Sequence, residues 1–283
     1  MITLAALNAA SPASAAAMLD GVAEDAPWVI ERALTAQPFA TVTALYDAIL
    51  HAIQTASLAE QLTLLDGYPE LAGTAALRGT MGAHSTVEQA GAGLGHQPDE
   101  GLIALNAAYR ARFGFPFILC IRRHTRPSLM TNFHRRLNAS VDDELRTALQ
   151  EVGYIVRLRL VERITGPGLP AAYGHLSTHV LDTARARPGA GIAVELWEHG
   201  DVPHLLTSAV TNANGRTDQP LVFGQPLRVG TYELRFAVSA YLGEGGPDFL
   251  DVIPARFRVT EPEGRYHIPL LLSPGAYSIY RGS

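Results

Sequence analysis

Near residue 166 the periodicity of the chain changes, and no single layer of secondary structure accommodates both periods. Up to Gly166 apolar residues recur at steps of three and four, as on one face of a helix. Val42, Leu45, Ile49 and Ile53 form one such stripe. Leu145, Leu149, Val152, Ile155 and Val156 form another, behind Ser140, which has the chemistry of an N-cap. Ser11-Pro12 reads as a helix start and not as the end of a signal peptide, because no basic residue precedes the apolar stretch. Ser85-Thr86-Val87-Glu88 has the spacing of a capping box, and Pro98 opens a helix running towards Phe113. Gly166-Pro167-Gly168-Leu169-Pro170 cannot continue a helix and serves as a linker. Beyond it the period is two: Ile192, Val194 and Leu196 alternate with small or polar neighbours, as do Tyr232, Leu234, Phe236 and Val238, and then Phe257 and Val259. Turn clusters such as Arg187-Pro188-Gly189 and Asn212 to Gly215 separate these runs, so the second half reads as a β-sandwich or barrel.

Composition narrows the chemistry. The 283 residues are 47% hydrophobic and 17% charged, which argues against disorder. All 22 basic residues are arginines, so a Schiff-base lysine and a P-loop lysine are both excluded. A net charge of -5 provides no field for a polyanion, and nucleic acid is not an expected partner. The single cysteine, Cys120, rules out an internal disulfide and multi-cysteine metal sites. No run of 18 uncharged apolar residues suggests a membrane span, and the expected location is the cytoplasm. His199 and His204 belong to no motif and read as surface or edge histidines; Arg122, Arg123 and Arg126 with His124 read as a solvated face.

Three stretches of the second half stand out: Leu176-Ser177-Thr178-His179-Val180-Leu181-Asp182, the run TNANGRTD from Thr211 to Asp218, and Tyr266-His267-Ile268-Pro269-Leu270-Leu271-Leu272-Ser273-Pro274. The chain then ends on Tyr280-Arg281-Gly282-Ser283. Together, over residues 174–283, they resemble the transthyretin-related 5-hydroxyisourate hydrolases. That resemblance implies a transthyretin-like sandwich, a homotetramer and hydrolytic opening of a purine-derived ring, with His179, Arg216, His267, Ser283 and Tyr280 at the site. The chemistry agrees: no serine or cysteine nucleophile motif is present, and a histidine with a pKa near working pH can activate water. An arginine fork suits a planar, partly anionic substrate. A metal reading is weaker, since His179 and His267 have neither metal-ligand spacing nor a clear third ligand. The transthyretin branch that carries a small hydrophobic ligand is the alternative, and it is expected to lack the two histidines, the arginine and the terminal tetrapeptide.

The first half carries Tyr68-Pro69-Glu70-Leu71-Ala72-Gly73, Ser85 to Ala90, the run LNAAYRARFGFPFI from Leu105 to Ile118, and Leu158-Arg159-Leu160. These resemble the decarboxylases of 2-oxo-4-hydroxy-4-carboxy-5-ureidoimidazoline, the product of the hydrolase, over residues 8–163. The resemblance implies cofactor-free decarboxylation to S-allantoin, with Glu88 and Arg159 catalytic, Pro69, Ser85 and Gln89 binding substrate, and Phe117, Ile118, Leu119 and Cys120 lining the pocket. It also implies a dimer through the helical part. One position departs: where the family has a catalytic histidine, this chain has Tyr68. A phenol with a pKa of about 10 is a poor proton shuttle at neutral pH, so slow decarboxylation, or none, is expected. His84, four residues before Glu88, is a candidate substitute. The expected architecture is thus an all-α part over 1–166, a linker over 167–173 and a transthyretin-like sandwich over 174–283. A helical part kept only for assembly or ligand retention, beside a working hydrolase, is the other whole-chain reading.

Overall fold

A computed structural model of the chain describes residues 1–71, 88, 100–200, 202–243 and 249–282. It divides into two compact units, one of Met1–Arg122 with Leu129–Ala171, the other of Arg123–Ser128 with Ala172–Ser283.

The described helices before residue 166 are α1 (Leu4–Ala9), α2 (Pro12–Met18), α3 (Pro27–Leu34), α4 (Val42–Gln54), α5 (Leu58–Asp66), α6 (Glu100–Phe113), α7 (Arg126–Arg136) and α8 (Val141–Arg163). Their starts follow the local chemistry. Ser11 caps α2 with Pro12 in its first turn, Thr41 caps α4 through the Ala44 N–H (3.0 Å), and Ser140 caps α8 through the Asp143 N–H (3.2 Å). A reciprocal capping box joins Ser57 and Glu60 at the head of α5. The expected box at Ser85 and helix start at Pro98 lie outside the described residues. The α4 stripe of Val42, Leu45, Ile49 and Ile53 is fully buried, as its spacing predicts. One short parallel pair, β1 (Ile2–Thr3) with β2 (Ile164–Thr165), interrupts the helical character. The Pro167 and Gly168 carbonyls then cap the free N–H groups of Val42 (3.0 Å) and Thr43 (2.9 Å), so the head of the expected linker is docked.

The stripe of α8 is met at Val152, Ile155 and Val156, which are buried, and differs from expectation in its first turns. Leu145 and Leu149 are only partly buried, while Glu144, Ala148, Glu151 and Arg159 face inward. Charged groups tolerate that position because each is paired. The Glu144 carboxylate accepts from Arg136 Nε (2.8 Å) and Nη2 (2.5 Å) and from the Tyr109 hydroxyl. Arg136 in turn donates to the Ile118 carbonyl (2.8 Å), with its guanidinium 4.4 Å above the Phe117 ring. Glu151 accepts from the Cys120 N–H (2.9 Å). These bonds hold the irregular segment from Phe117 to Cys120 at both ends.

The second unit contains β3 (His175–Asp182), β4 (Arg187–Pro188), β5 (Ala193–His199), β6 (His204–Val210), β7 (Gly230–Ala237), α9 (Ser239–Leu242), β8 (Val252–Val259), β9 (Arg265–Ser273) and β10 (Ala276–Ile279). Two four-stranded sheets form, ordered β10-β9-β3-β4 and β6-β5-β7-β8. Val194, Leu196, Leu234 and Phe236 from one sheet and Leu176, Val180, Leu270 and Leu272 from the other are fully buried in one core. Because β3 alternates strictly, its even-numbered residues enter that core, and Ser177 and His179 lie on the opposite face. β3 and β9 run parallel, with Ser177 opposite His267 and His179 opposite Pro269. Two expectations fail. Arg123 is not solvated: it is 8% exposed and forms a two-pronged ion pair with Glu263, both bonds 3.0 Å. His199 is not a surface histidine; its half-closed environment places Nε2 3.5 Å from the buried Glu233 carboxylate.

Candidate active sites

The outer face of the β3–β9 pair gathers three of the residues singled out in the sequence. A bridge between His179 and Arg216 ties the turn from Asn212 to Arg216 onto β3, and the Val180 N–H donates to the Gly215 carbonyl (2.8 Å). Gly215 has a φ of 72°, which suits glycine, and a Cβ there would stand 2.3 Å from the Val180 carbonyl and 3.2 Å from the His179 ring. The terminal segment approaches the second histidine in the same way. The Gly282 N–H donates to the His267 carbonyl (2.8 Å), and a Cβ on Gly282 would lie 2.6 Å from His267 Cδ2. Each histidine ring is therefore covered on one side by a glycine backbone. Tyr280 belongs to this segment and is about half exposed. Ser283 lies outside the described residues.

Ser177 was not singled out by the sequence, yet its hydroxyl stands 3.0 Å from His267 Nδ1. With that nitrogen engaged, Nε2 is the atom of His267 left for chemistry. Both histidines have pKa values held below the ordinary 6.5. For His179 burial is the larger cause and the Arg216 charge the next, with a hydrogen bond to the Asn214 backbone opposing them. For His267 burial again leads, followed by Arg216 and His179, while the Ser177 backbone opposes. Two neutral imidazoles beside an exposed guanidinium can take a proton from water while the cation holds a developing oxyanion.

The helical unit holds a separate cavity. Tyr68, Pro69, Glu88, Phe117, Ile118, Leu119, Cys120 and Arg159 line it, so eight of the residues expected at one site share one space. Ser85, Gln89 and His84 lie outside the described residues. Arg159 is 4% exposed and meets Glu88 through two nitrogens, Nε at 3.1 Å and Nη2 at 3.0 Å. Its third nitrogen, Nη1, donates to Glu24 (2.5 Å) and to the Gly21 carbonyl (3.1 Å). Glu24 escaped the sequence reading: it sits in a left-handed turn with φ 47° without being glycine, and nothing local marks it as a partner of a residue 135 positions away. Tyr68 is 5% exposed, and its hydroxyl has no hydrogen-bond partner among the described residues. Burial pushes its phenol well above the usual value, with Arg159 opposing. Cys120 is buried and in no disulfide, in keeping with packing.

Known proteins resemble both units. A family model described as OHCU decarboxylase matches residues 8–161, and one described as the HIUase/Transthyretin family matches residues 176–282. A 5-hydroxyisourate hydrolase from Deinococcus radiodurans is 50% identical over 117 residues, covering 39% of this chain and 98% of the relative. A 2-oxo-4-hydroxy-4-carboxy-5-ureidoimidazoline decarboxylase from Haloferax volcanii is 39% identical over 145 residues, covering 50% of this chain and 84% of the relative. The crystal structure of an (S)-allantoin synthase aligns over 100% of both chains, with a TM-score of 0.55 and 30% identity.

Proposed function

Because the chain belongs to the OHCU decarboxylase family through residues 8–161 and to the HIUase/transthyretin family through residues 176–282, we propose that it is a two-site enzyme of urate breakdown. The sandwich, assigned to residues 174–283, opens 5-hydroxyisourate by hydrolysis. The helical part, assigned to residues 1–166, decarboxylates the product, 2-oxo-4-hydroxy-4-carboxy-5-ureidoimidazoline, towards S-allantoin. The observation that carries most weight is the convergence of His179, Arg216 and His267 on one outer face, with both imidazoles favoured in the neutral form. In this assignment His267 Nε2 withdraws the proton from water, and His179 holds that water in place. Arg216 receives the charge that develops on the attacked carbonyl oxygen, and the proton passes to the departing ring nitrogen. Ser283 and Tyr280 complete the pocket from the terminal segment.

In the helical cavity the bond to the carboxylate carbon breaks, its electron pair enters the conjugated ring, and CO2 leaves. Arg159 and Glu88 place the substrate, with Pro69, Ser85, Gln89 and the backbone from Phe117 to Cys120 around it. Tyr68 supports slow turnover, since an un-ionised phenol exchanges protons reluctantly near neutrality. Neither step calls for a cofactor or metal. Self-association is proposed as a tetramer through the sandwich, supported by Tyr277 and Tyr280, which are 46% and 48% exposed on and beside edge strand β10. A cytoplasmic setting is in keeping with a single, buried cysteine that forms no disulfide. The test is the rate at which the full chain consumes freshly generated 5-hydroxyisourate: decay no faster than in buffer refutes the hydrolase assignment.

A further inference from the structure

We propose that the Tyr68 hydroxyl is the subsite for a ligand carboxylate in the helical cavity, gripping the group that leaves. The inference rests on the reading of that cavity as a decarboxylase pocket, and it begins from an unmet bond. Tyr68 is 5% exposed, and its hydroxyl is closed off from solvent with no hydrogen-bond partner among the described residues. A buried polar atom left in that condition keeps the whole cost of its desolvation until something binds to it. The atom belongs to a residue that lines the same cavity as Glu88, Arg159 and the segment from Ile118 to Cys120.

Arg159 is the obvious anchor for an anion, but all three of its nitrogens are already engaged, by Glu88, Glu24 and the Gly21 carbonyl. Tyr68 is differently placed. Burial keeps its phenol protonated at neutral pH, so it presents a donor. It also lies within electrostatic reach of the Arg159 guanidinium, the strongest charge acting on it, while the Glu24 and Glu88 carboxylates each oppose that charge more weakly. A charged acceptor makes the stronger bond with such a donor, which favours a carboxylate over a ureide carbonyl.

The kinetic consequence follows from when the bond exists. As the carbon–carbon bond breaks, the electron pair passes to the ring and the carboxylate becomes neutral CO2. The phenol keeps its own proton, and the ring carbon is protonated from water. A hydrogen bond to the carboxylate is therefore strongest in the bound substrate and weakens towards the transition state, so it tightens binding without speeding the reaction.

The experiment is calorimetric titration of the full chain and its Tyr68→Phe variant with two stable probes. Allantoate carries a ureide and a carboxylate; allantoin carries the ureide and ring without the carboxylate. The expected result is allantoate binding weakened about tenfold or more in Tyr68→Phe, as for loss of a hydrogen bond to a charged group, with allantoin binding unchanged. Equal allantoate affinity in the two forms overturns the proposal, as does an equal loss for both probes, which would put the hydroxyl on the ureide. A natural chain that binds allantoin but not allantoate overturns it too. A natural chain that binds neither overturns the pocket reading itself. The variant removes one unsatisfied atom at constant shape, so its melting temperature should not fall.

Discussion

Gly282→Ala is the smallest change that should disable the sandwich site while leaving the sandwich standing. Gly282 is not in a left-handed conformation, so alanine meets no backbone penalty there; the obstacle is contact. The added Cβ would lie 2.6 Å from His267 Cδ2 and 3.3 Å from Cγ. Reaching an ordinary carbon–carbon separation of about 3.5 Å requires a retreat of about 0.9 Å by one partner. His267 is fixed by its strand and by Ser177 at 3.0 Å, whereas the terminal segment is held at Gly282 by a single 2.8 Å backbone bond. The segment should therefore yield, carrying Tyr280 out of position. Misplacement on the order of 1 Å costs about 10²-fold in rate. Loss of one exposed hydrogen bond costs only about 1 kcal/mol, a shift of a few degrees in melting temperature. Steady-state hydrolysis of 5-hydroxyisourate and a thermal melt of the same preparation check both numbers. Turnover within about twofold of the natural chain would refute the idea that the terminal segment completes the site.

His179→Ala, Arg216→Ala and His267→Ala should each reduce hydrolysis by about 10²-fold to 10⁴-fold, the range for a positioned acid or base; a folded variant at full rate removes that residue from the site. The acid limb of kcat/KM should have its midpoint below pH 6.5, because burial and the Arg216 charge disfavour protonated His267 and keep the neutral base available further into acid. Arg216→Gln takes away one lowering cause, so the midpoint of its residual activity should move upward; a fixed or lower midpoint contradicts the electrostatic account. Tyr68→His should raise the rate of S-allantoin formation measured by circular dichroism, and a natural chain already as fast as that variant rules out impairment at Tyr68.

Much of the architecture was legible because local rules agreed with the tertiary result. Ser11 and Ser140 mark true helix starts, and the period-two runs at Val194 and Tyr232 are strands of the core. The grouping of His179, His267 and Arg216 at the candidate site was legible because the histidines lie in recognisable strand motifs and Arg216 in a glycine-bearing turn. Ser177 was not, because its role depends on the parallel register of β3 and β9, strands separated by most of the second unit. Glu24 was hidden for a similar reason: its carboxylate meets Arg159 only after α8 has folded back. The inward face of α8 was legible only in part, at Val152, Ile155 and Val156, because hydrophobic periodicity treats Glu144 and Glu151 as outward-facing, whereas Arg136 and the Cys120 N–H neutralise or satisfy them inside. Burial of a charge is decided by its partner, which lies elsewhere in the sequence.

Freshly generated 5-hydroxyisourate, given to the full chain and followed at once by absorbance and by circular dichroism, tests the two-site account most directly. The account predicts rapid loss of 5-hydroxyisourate and then a slower growth of the S-allantoin signal, with His267→Ala suppressing the first phase and Tyr68→His accelerating the second. Loss of 5-hydroxyisourate at the uncatalysed rate, or allantoin appearing only as the racemate at its spontaneous rate in both the natural chain and Tyr68→His, would contradict it.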